Sequence, residues 1–170
     1  MTRPLRGAVP HDPADDSDPA PPATGATLVG AMHRALAASV AVHGATSPNP
    51  PVGAVVLDAA GAVAGVGATA PPGGPHAEVI ALREAGPRAR GGTVVVTLEP
   101  CAHHGRTPPC TEALAAAGVA TVVFAVRDPH PTAGGGAAVL RAGGVAVREG
   151  VLSDEVARGP LRAWLHAVRT

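Results

Sequence analysis

Two runs of apolar, mostly β-branched residues constrain what this chain can fold into. They span residues 93–98 and 119–126. Neither run alternates with polar residues, and continuous apolar runs of this length are typical of strands buried on both faces of a sheet. A segment with helical character follows each run, at residues 110–117 and 136–142. The chain is therefore predicted to be an α/β protein with helices on both faces of a mixed sheet.

The remaining elements are predicted from apolar spacing and from residues that start or stop helices. In chain order they are helix 27–43, strands 52–58 and 62–69 joined by a hairpin, helix 76–85, strand 145–148, and a C-terminal helical segment that Ser153 caps and Pro160 interrupts. The side chains expected in the core are Leu28, Met32, Leu36 and Val40 of the first helix and Val79, Ile80 and Leu82 of the second.

The first part of the chain differs in composition from the rest. Residues 1–24 are rich in Pro, Asp and Ala and offer almost nothing to bury, so they are predicted to be a disordered tail. Residues 25–170 are long enough to form one domain with a core of its own. A Gly-rich dinucleotide fingerprint is missing, and the triplet Gly134-Gly135-Gly136 lacks the required spacing.

Composition excludes several classes of partner. The formal net charge is 0, so there is no excess of positive charge for binding a phosphate backbone. One Trp, one Phe and no Tyr leave no platform on which bases could stack. The run at 119–126 is the longest apolar stretch and is too short to cross a bilayer. Neither a nucleic acid nor a membrane is expected as a partner, and the protein is predicted to be cytoplasmic.

His76 and the only two cysteines of the chain, Cys101 and Cys110, are candidate metal ligands. One imidazole and two thiolates suit a zinc ion whose fourth position is left to water, although iron uses similar ligands. Cys110 is predicted to begin a helix, a position that favours thiolate. Two alternatives are a disulfide between the cysteines and a closed structural site completed by His103 or His104.

Four ordered motifs resemble those of a known enzyme family. They are Ser47-Pro48-Asn49-Pro50-Pro51-Val52-Gly53, then His76-Ala77-Glu78, then Leu98-Glu99-Pro100-Cys101 through Gly105-Arg106-Thr107-Pro108-Pro109-Cys110, then Asp128-Pro129. A His-x-Glu motif followed by Pro-Cys and a second Cys is the signature of zinc-dependent deaminases, although eight residues separate the cysteines here instead of two. The wider spacing and its residues are similar to the deaminase domain of bacterial riboflavin biosynthesis. The resemblance runs from about Leu28 to the C-terminus.

This resemblance implies a three-layer α/β/α cytidine deaminase-like fold with about five strands. It implies Zn²⁺ as cofactor and Glu78 as the catalytic carboxylate. It also implies a small-molecule substrate, 2,5-diamino-6-(5-phosphoribosylamino)pyrimidin-4(3H)-one, and a homodimer or homotetramer. Members often continue into a reductase domain; that domain is not expected within these 170 residues, so a separate reductase is a possible partner for the next step.

Four residues are candidates for substrate binding, and three of them have a simpler alternative. Asn49 can hydrogen-bond the pyrimidine edge or close a turn. Arg106, where the family has Lys or Arg, suits a phosphate or is a surface arginine. Asp128 can bind the ribose or cap the following segment. His130 stands where many members have Asn, and Thr69 where many have His, so both depart from the family near the expected pocket.

Three functions remain open at this point. The first is deamination of the riboflavin-pathway pyrimidine. The second is deamination of another aminated heterocycle by the same fold, which the departures at Thr69 and His130 favour. The third is a catalytically silent, zinc-stabilised interaction module, although a purely structural zinc site gives no reason for Glu78 to lie two residues from His76.

Overall fold

A computed structural model describes residues 23–170 of the chain. The predicted tail therefore lies almost entirely outside the described residues, and Thr24 is the N-cap of the first helix. The helices are α1 (Gly25–Ala41), α2 (Ala77–Ala85), α3 (Cys110–Ala117), α4 (Gly136–Ala142), α5 (Ser153–Arg158) and α6 (Arg162–Arg169), with a short 3-10 helix at Gly86–Ala89. The strands are β1 (Gly53–Leu57), β2 (Val63–Ala68), β3 (Thr93–Leu98), β4 (Thr121–Val126) and β5 (Ala146–Glu149).

The five strands form one mixed sheet in the order β2-β1-β3-β4-β5. Strand β1 is antiparallel to both of its neighbours, whereas β3, β4 and β5 are mutually parallel. The two predicted central strands, β3 and β4, are buried along nearly their whole length. The mixed five-stranded sheet predicted from the sequence is confirmed.

Glycines show that helices α1 and α2 lie on opposite faces of this sheet. A Cβ on Gly53 would collide with the backbone of α1 at Ala35. A Cβ on Gly67, which is the partner of Ala54 in the sheet, would collide with the backbone of α2 at Ala77. Because neighbouring residues of a strand point to opposite faces, Gly53 and Ala54 place the two helices on opposite sides. The predicted three-layer arrangement is confirmed.

The close approach of helices to the sheet corrects the predicted core. In α2, the alanines Ala77, Ala81 and Ala85 are buried, whereas the larger side chains predicted for the core are only partly buried. Gly65 and Gly67 of β2 bring the helix so near that only small side chains fit beneath it. In α1, Val40 is 57% exposed, so its predicted place in the core is wrong. The neighbouring Ser39 is buried instead and donates a hydrogen bond to the carbonyl of Pro51.

The C-terminal segment is helical and is interrupted near Pro160, as predicted. The predicted capping role of Ser153 is wrong, because Ser153 is the first helical residue and Leu152 occupies the N-cap with φ of 53°. Among residues 23–170, no helix combines the length and the apolar character that crossing a membrane requires.

Candidate metal centre and active site

The candidate residues meet beyond the carboxyl ends of β3 and β4, where α2 and α3 begin. His76 is the N-cap of α2, and Cys110 is the first residue of α3. Cys101 lies three residues beyond the end of β3. Carboxyl ends of parallel strands and amino ends of helices meet at one edge of an α/β sheet, which is where such proteins bind ligands. The candidate residues therefore lie at the edge where the sequence predicts the site.

Three ligand atoms converge at this edge. His76 Nδ1 lies 3.3 Å from Cys110 Sγ and 3.6 Å from Cys101 Sγ. All three atoms lie within 4.8 Å of one another. With the usual bond lengths, a tetrahedral zinc ion holds a nitrogen and a sulfur ligand about 3.6 Å apart. The donor set therefore fits zinc in both its chemistry and its spacing.

The alternatives considered for the two cysteines do not match this geometry. Both cysteines are free thiols. Within residues 23–170, the group of possible metal ligands contains only His76, Cys101 and Cys110. His104 is turned toward Glu112, with 3.3 Å between Nε2 and Oε1, and both side chains are largely exposed. The cluster thus offers three possible ligands, which is the number of protein ligands typical of catalytic zinc sites.

The two sulfurs differ in their electrostatic environment. Hydrogen bonds from the Cys110 thiol, from His76 and from the Cys110 amide, which lies 3.3 Å from Cys101 Sγ, lower the pKa of Cys101 to about 4. The pKa of Cys110 is raised because its thiol donates to Cys101 and because it is buried. Of the two sulfurs, Cys101 is therefore the one at which the thiolate is favoured. The helix start at Cys110 was predicted to favour the thiolate there, and the raised pKa of Cys110 contradicts this. The first amide of α3 points at Cys101 and not at the sulfur of its own residue.

The carboxyl group of Glu78 lies in the first turn of α2 and is almost completely buried, with 4% exposure. Burial raises the pKa of this carboxyl, since a low-dielectric surrounding disfavours the charged form. The pKa of His76 is also raised, chiefly by its hydrogen bond with Cys101. A carboxyl with a raised pKa holds a proton more readily than an exposed carboxyl does, which suits a group that takes up and releases protons.

A cavity of about 480 Å³ opens over this cluster. Seven of the eight site residues predicted from the sequence line it, namely Asn49, His76, Glu78, Cys101, Arg106, Asp128 and His130. The eighth, Cys110, is buried beside His76 and Cys101. The structure therefore brings together all the predicted site residues, although this placement does not assign a role to any of them.

The other candidate polar residues that line the cavity differ in the hydrogen bonds and ion pairs that they already make. Among the described residues, the side-chain amide of Asn49 has no hydrogen bond and the guanidinium of Arg106 has no ion pair. Asp128 Oδ1 accepts a hydrogen bond from the His130 amide at 2.8 Å, as expected of a residue that caps its own loop. Burial raises the pKa of Asp128. His130 Nδ1 lies 2.9 Å from the hydroxyl oxygen of Thr132.

Three further residues line the cavity without having been assigned a role from the sequence. Thr69 is buried and its hydroxyl is bound to the backbone of Val52, accepting from the amide at 3.0 Å and donating to the carbonyl. Glu99 is a buried acid directly after a buried strand, a signal that could have been noticed. Trp164 reaches the cavity from α6, far along the chain from every motif, and no local pattern predicts that contact.

Comparisons with known proteins agree with this site. The sequence profile described as the cytidine and deoxycytidylate deaminase zinc-binding region matches residues 27–126. Riboflavin biosynthesis protein RibD of Mycobacterium tuberculosis is 58% identical over 140 residues, which are 82% of this chain and 41% of that protein. The predicted resemblance is thus confirmed, and the chain spans about two fifths of the length of this relative.

Two solved structures resemble the fold closely. RibD of Acinetobacter baumannii has a TM-score of 0.81 and 42% identity, covering 85% of this chain and 41% of that one. The second is diaminohydroxyphosphoribosylaminopyrimidine deaminase/5-amino-6-(5-phosphoribosylamino)uracil reductase of Thermotoga maritima. It has a TM-score of 0.80 and 41% identity, covering 85% of this chain and 42% of that one. On its fold, its cluster of possible metal ligands and the profile that covers this cluster, the chain belongs to the cytidine and deoxycytidylate deaminase zinc-binding family.

Proposed function

We propose that this chain catalyses the zinc-dependent hydrolytic deamination of 2,5-diamino-6-(5-phosphoribosylamino)pyrimidin-4(3H)-one. The products are ammonia and 5-amino-6-(5-phosphoribosylamino)uracil. The observation that carries the proposal is the cluster of one imidazole nitrogen and two sulfurs within 4.8 Å, with the buried Glu78 lining the cavity beside it. The substrate is suggested by the printed name of the Thermotoga protein and by the 58% identity to RibD.

His76, Cys101 and Cys110 are the proposed zinc ligands. When bound, zinc lowers the pKa of a coordinated water from about 15.7 to about 7 and so provides a nucleophile at neutral pH. The thiolate favoured at Cys101 supplies negative charge for the cation. The pKa values of Cys110 and His76 are raised, so each of these residues must lose a proton before it can bind zinc.

Glu78 is the proposed proton carrier. Its carboxylate takes a proton from the attacking water and gives it to the adjacent ring nitrogen while the ring carbon becomes tetrahedral. It then carries the remaining proton of that water, now on the new hydroxyl group, to the amino group. The carbon–nitrogen bond breaks, a carbonyl forms, and ammonia leaves. The raised pKa of the buried carboxyl supports both directions of transfer.

The remaining polar groups are proposed to hold the substrate. The uncommitted amide of Asn49 suits the pyrimidine edge, because it can donate and accept. Arg106 is exposed at the cavity, and its planar guanidinium suits the phosphate. Asp128 and His130 lie on one loop beyond β4 and are proposed to contact the ribose. Thr69 is assigned no contact, because its hydroxyl is bound to the backbone of Val52.

A second candidate function is deamination of another aminated nucleobase or heterocycle. It is favoured by His130, which lines the cavity where many members of the family have Asn. A third candidate is a catalytically silent module in which zinc only stabilises the fold. Burial of the Glu78 carboxyl argues against it, since an ionisable group with no function is costly to bury.

One assay separates the three candidates. Zinc-loaded protein is incubated with the phosphoribosyl diaminopyrimidine, cytidine, cytosine or guanine, and released ammonia is measured. The proposal predicts release from the first compound alone. Release only from another compound would support the second candidate. Absence of release from any of the four, with zinc bound, would support the third.

The wider setting of the reaction is also a proposal. The name of the Thermotoga protein includes a reductase that acts on the product of this deamination, and we propose that such a reductase takes the next step. The chain is proposed to act in the cytoplasm as a homo-oligomer. The mass of the zinc-loaded protein in solution tests the oligomeric state.

A further inference from the structure

Glu99 is a buried carboxyl group that the proposed chemistry leaves without a role. Its residue is 5% exposed, although it lines the cavity. Each of its two oxygens accepts a hydrogen bond from a different backbone amide. Oε2 accepts from the amide of Asp128 and Oε1 from the amide of Ala137, each at 3.0 Å. Among the described residues no cation pairs with it, since the nearby Arg127 is bound to Glu149 at 2.7 Å. Burying a carboxyl group costs free energy of hydration, so we expect Glu99 to have a structural or functional role.

The two amides lie at opposite ends of the segment 127–137. This segment crosses the carboxyl edge of the sheet between β4 and α4, and Asp128, His130 and Ala133 within it line the cavity. Other contacts also join it to the zinc side. The carbonyl of Ala133 accepts a hydrogen bond from the amide of Ala102, and Gly136 packs so closely on the carbonyl of Pro100 that no Cβ would fit.

We propose that Glu99 is a positioning residue for substrate binding. It fixes both ends of the segment 127–137, and through Asp128 it sets where the ribose binds. It does not transfer protons. The inference rests on the proposed function, because it assigns Glu99 to the sugar side of that substrate.

The test is Glu99→Gln in the zinc-loaded protein. Gln has nearly the same shape, but its NH2 group faces one of the two amides and leaves that donor unsatisfied in a buried place. KM for the phosphoribosyl substrate is expected to rise about tenfold, while kcat changes less than about twofold. Zinc content is expected to stay at that of the wild type. In hydrogen exchange, the amides of Asp128 and Ala137 are expected to lose protection.

Glu84→Gln is the matched control. Glu84 also accepts a backbone amide through its carboxylate, from Val66 at 3.2 Å, but it does so on the exposed part of α2 away from the cavity. This variant is expected to keep both KM and kcat. If Glu99→Gln expresses poorly, Glu99→Asp keeps the acceptor but is one methylene too short to reach both amides, and it should shift KM in the same direction.

A double-mutant cycle with Asp128→Ala separates positioning from general destabilisation. If Glu99 acts through Asp128, the double variant has the KM of Asp128→Ala alone. Additive effects would overturn the inference, and so would a fall in kcat with KM unchanged or an equal KM shift in Glu84→Gln. An inactive wild-type protein would overturn the proposed function and this inference together. An active wild type with an unchanged Glu99→Gln variant would overturn the inference alone.

Discussion

The two sides of the cavity are built differently. On the proposed zinc side, His76 is the N-cap of α2, Cys110 is the first residue of α3, and Cys101 follows the buried strand β3. On the substrate side, Asn49, Arg106, Asp128 and His130 all lie in loops. Regular elements with buried faces position the first group, whereas the second group depends on the conformation of loops. Changes on the zinc side are therefore expected to abolish turnover, and changes on the substrate side to weaken binding.

The largest effect is expected from Cys110→Ala. Loss of one of three protein ligands removes most of the zinc affinity, so ammonia release should fall to background and the melting temperature should drop by roughly 5 °C or more. Metal analysis and thermal unfolding measure the two effects. His104→Ala is the control, because His104 lies outside the cluster, and it should keep both zinc and activity. Zinc loss in the control alone would show that the ligand set is wrong.

Glu78→Gln is expected to lower kcat about 10³-fold, since one carboxylate performs each proton transfer. Zinc content should be unchanged, because Glu78 is not among the clustered ligands. Steady-state ammonia release together with metal analysis tests this. Glu84→Gln on the same helix should match the wild type. A variant that keeps more than about a tenth of the activity would rule out Glu78 as the main proton carrier.

Zinc affinity is expected to fall as the pH falls. The pKa values of Cys110 and His76 are both raised, so protons compete with zinc at these two ligands over a wider pH range than at unperturbed groups. The thiol of Cys101, with a pKa of about 4, is already ionised near neutral pH and adds no such dependence. Each proton released changes the affinity by about tenfold per pH unit. Competition with a chelator at pH 6, 7 and 8 should show a loss of about 10- to 100-fold per unit, and a flat profile would contradict the protonation states described here.

The smallest of these effects is expected from Arg106→Ala. KM for the phosphoribosyl substrate should rise about tenfold with kcat within about threefold, because the guanidinium binds a part of the substrate remote from the reacting carbon. A substrate analogue without the phosphate should show no difference between variant and wild type. Arg83→Ala, an exposed arginine on α2, controls for loss of charge. A large fall in kcat instead would mean that the two sides of the cavity are not separable in the way described.

The sequence predicted the zinc side better than the substrate side for a physical reason. Buried strands and helix starts leave strong local patterns, so the sequence predicted the helix that follows His76, the strand that precedes Cys101 and the helix that begins at Cys110. The tight packing of α2 on β2 was missed, because it depends on which face of the sheet Gly65 and Gly67 occupy. A pattern along one segment cannot show what packs against it.

The same limit explains the site residues that were missed. The lowered pKa of Cys101 depends chiefly on its hydrogen bond with the Cys110 thiol, and this contact joins residues nine positions apart in the chain. The contact of Trp164 with the cavity depends on how α6 returns to the sheet. Glu99 gave a local signal, but its partners are amides 29 and 38 residues away, beyond the reach of sequence spacing.

The central claim is that His76, Cys101 and Cys110 form a catalytic zinc centre served by Glu78. Removing the metal with a chelator, adding zinc back in steps and measuring ammonia release from the phosphoribosyl diaminopyrimidine tests it most directly. Activity should be lost on removal and should return in proportion to zinc bound, reaching its maximum near one zinc per chain. Full activity in the chelated protein would contradict the claim, and so would bound zinc without any ammonia release.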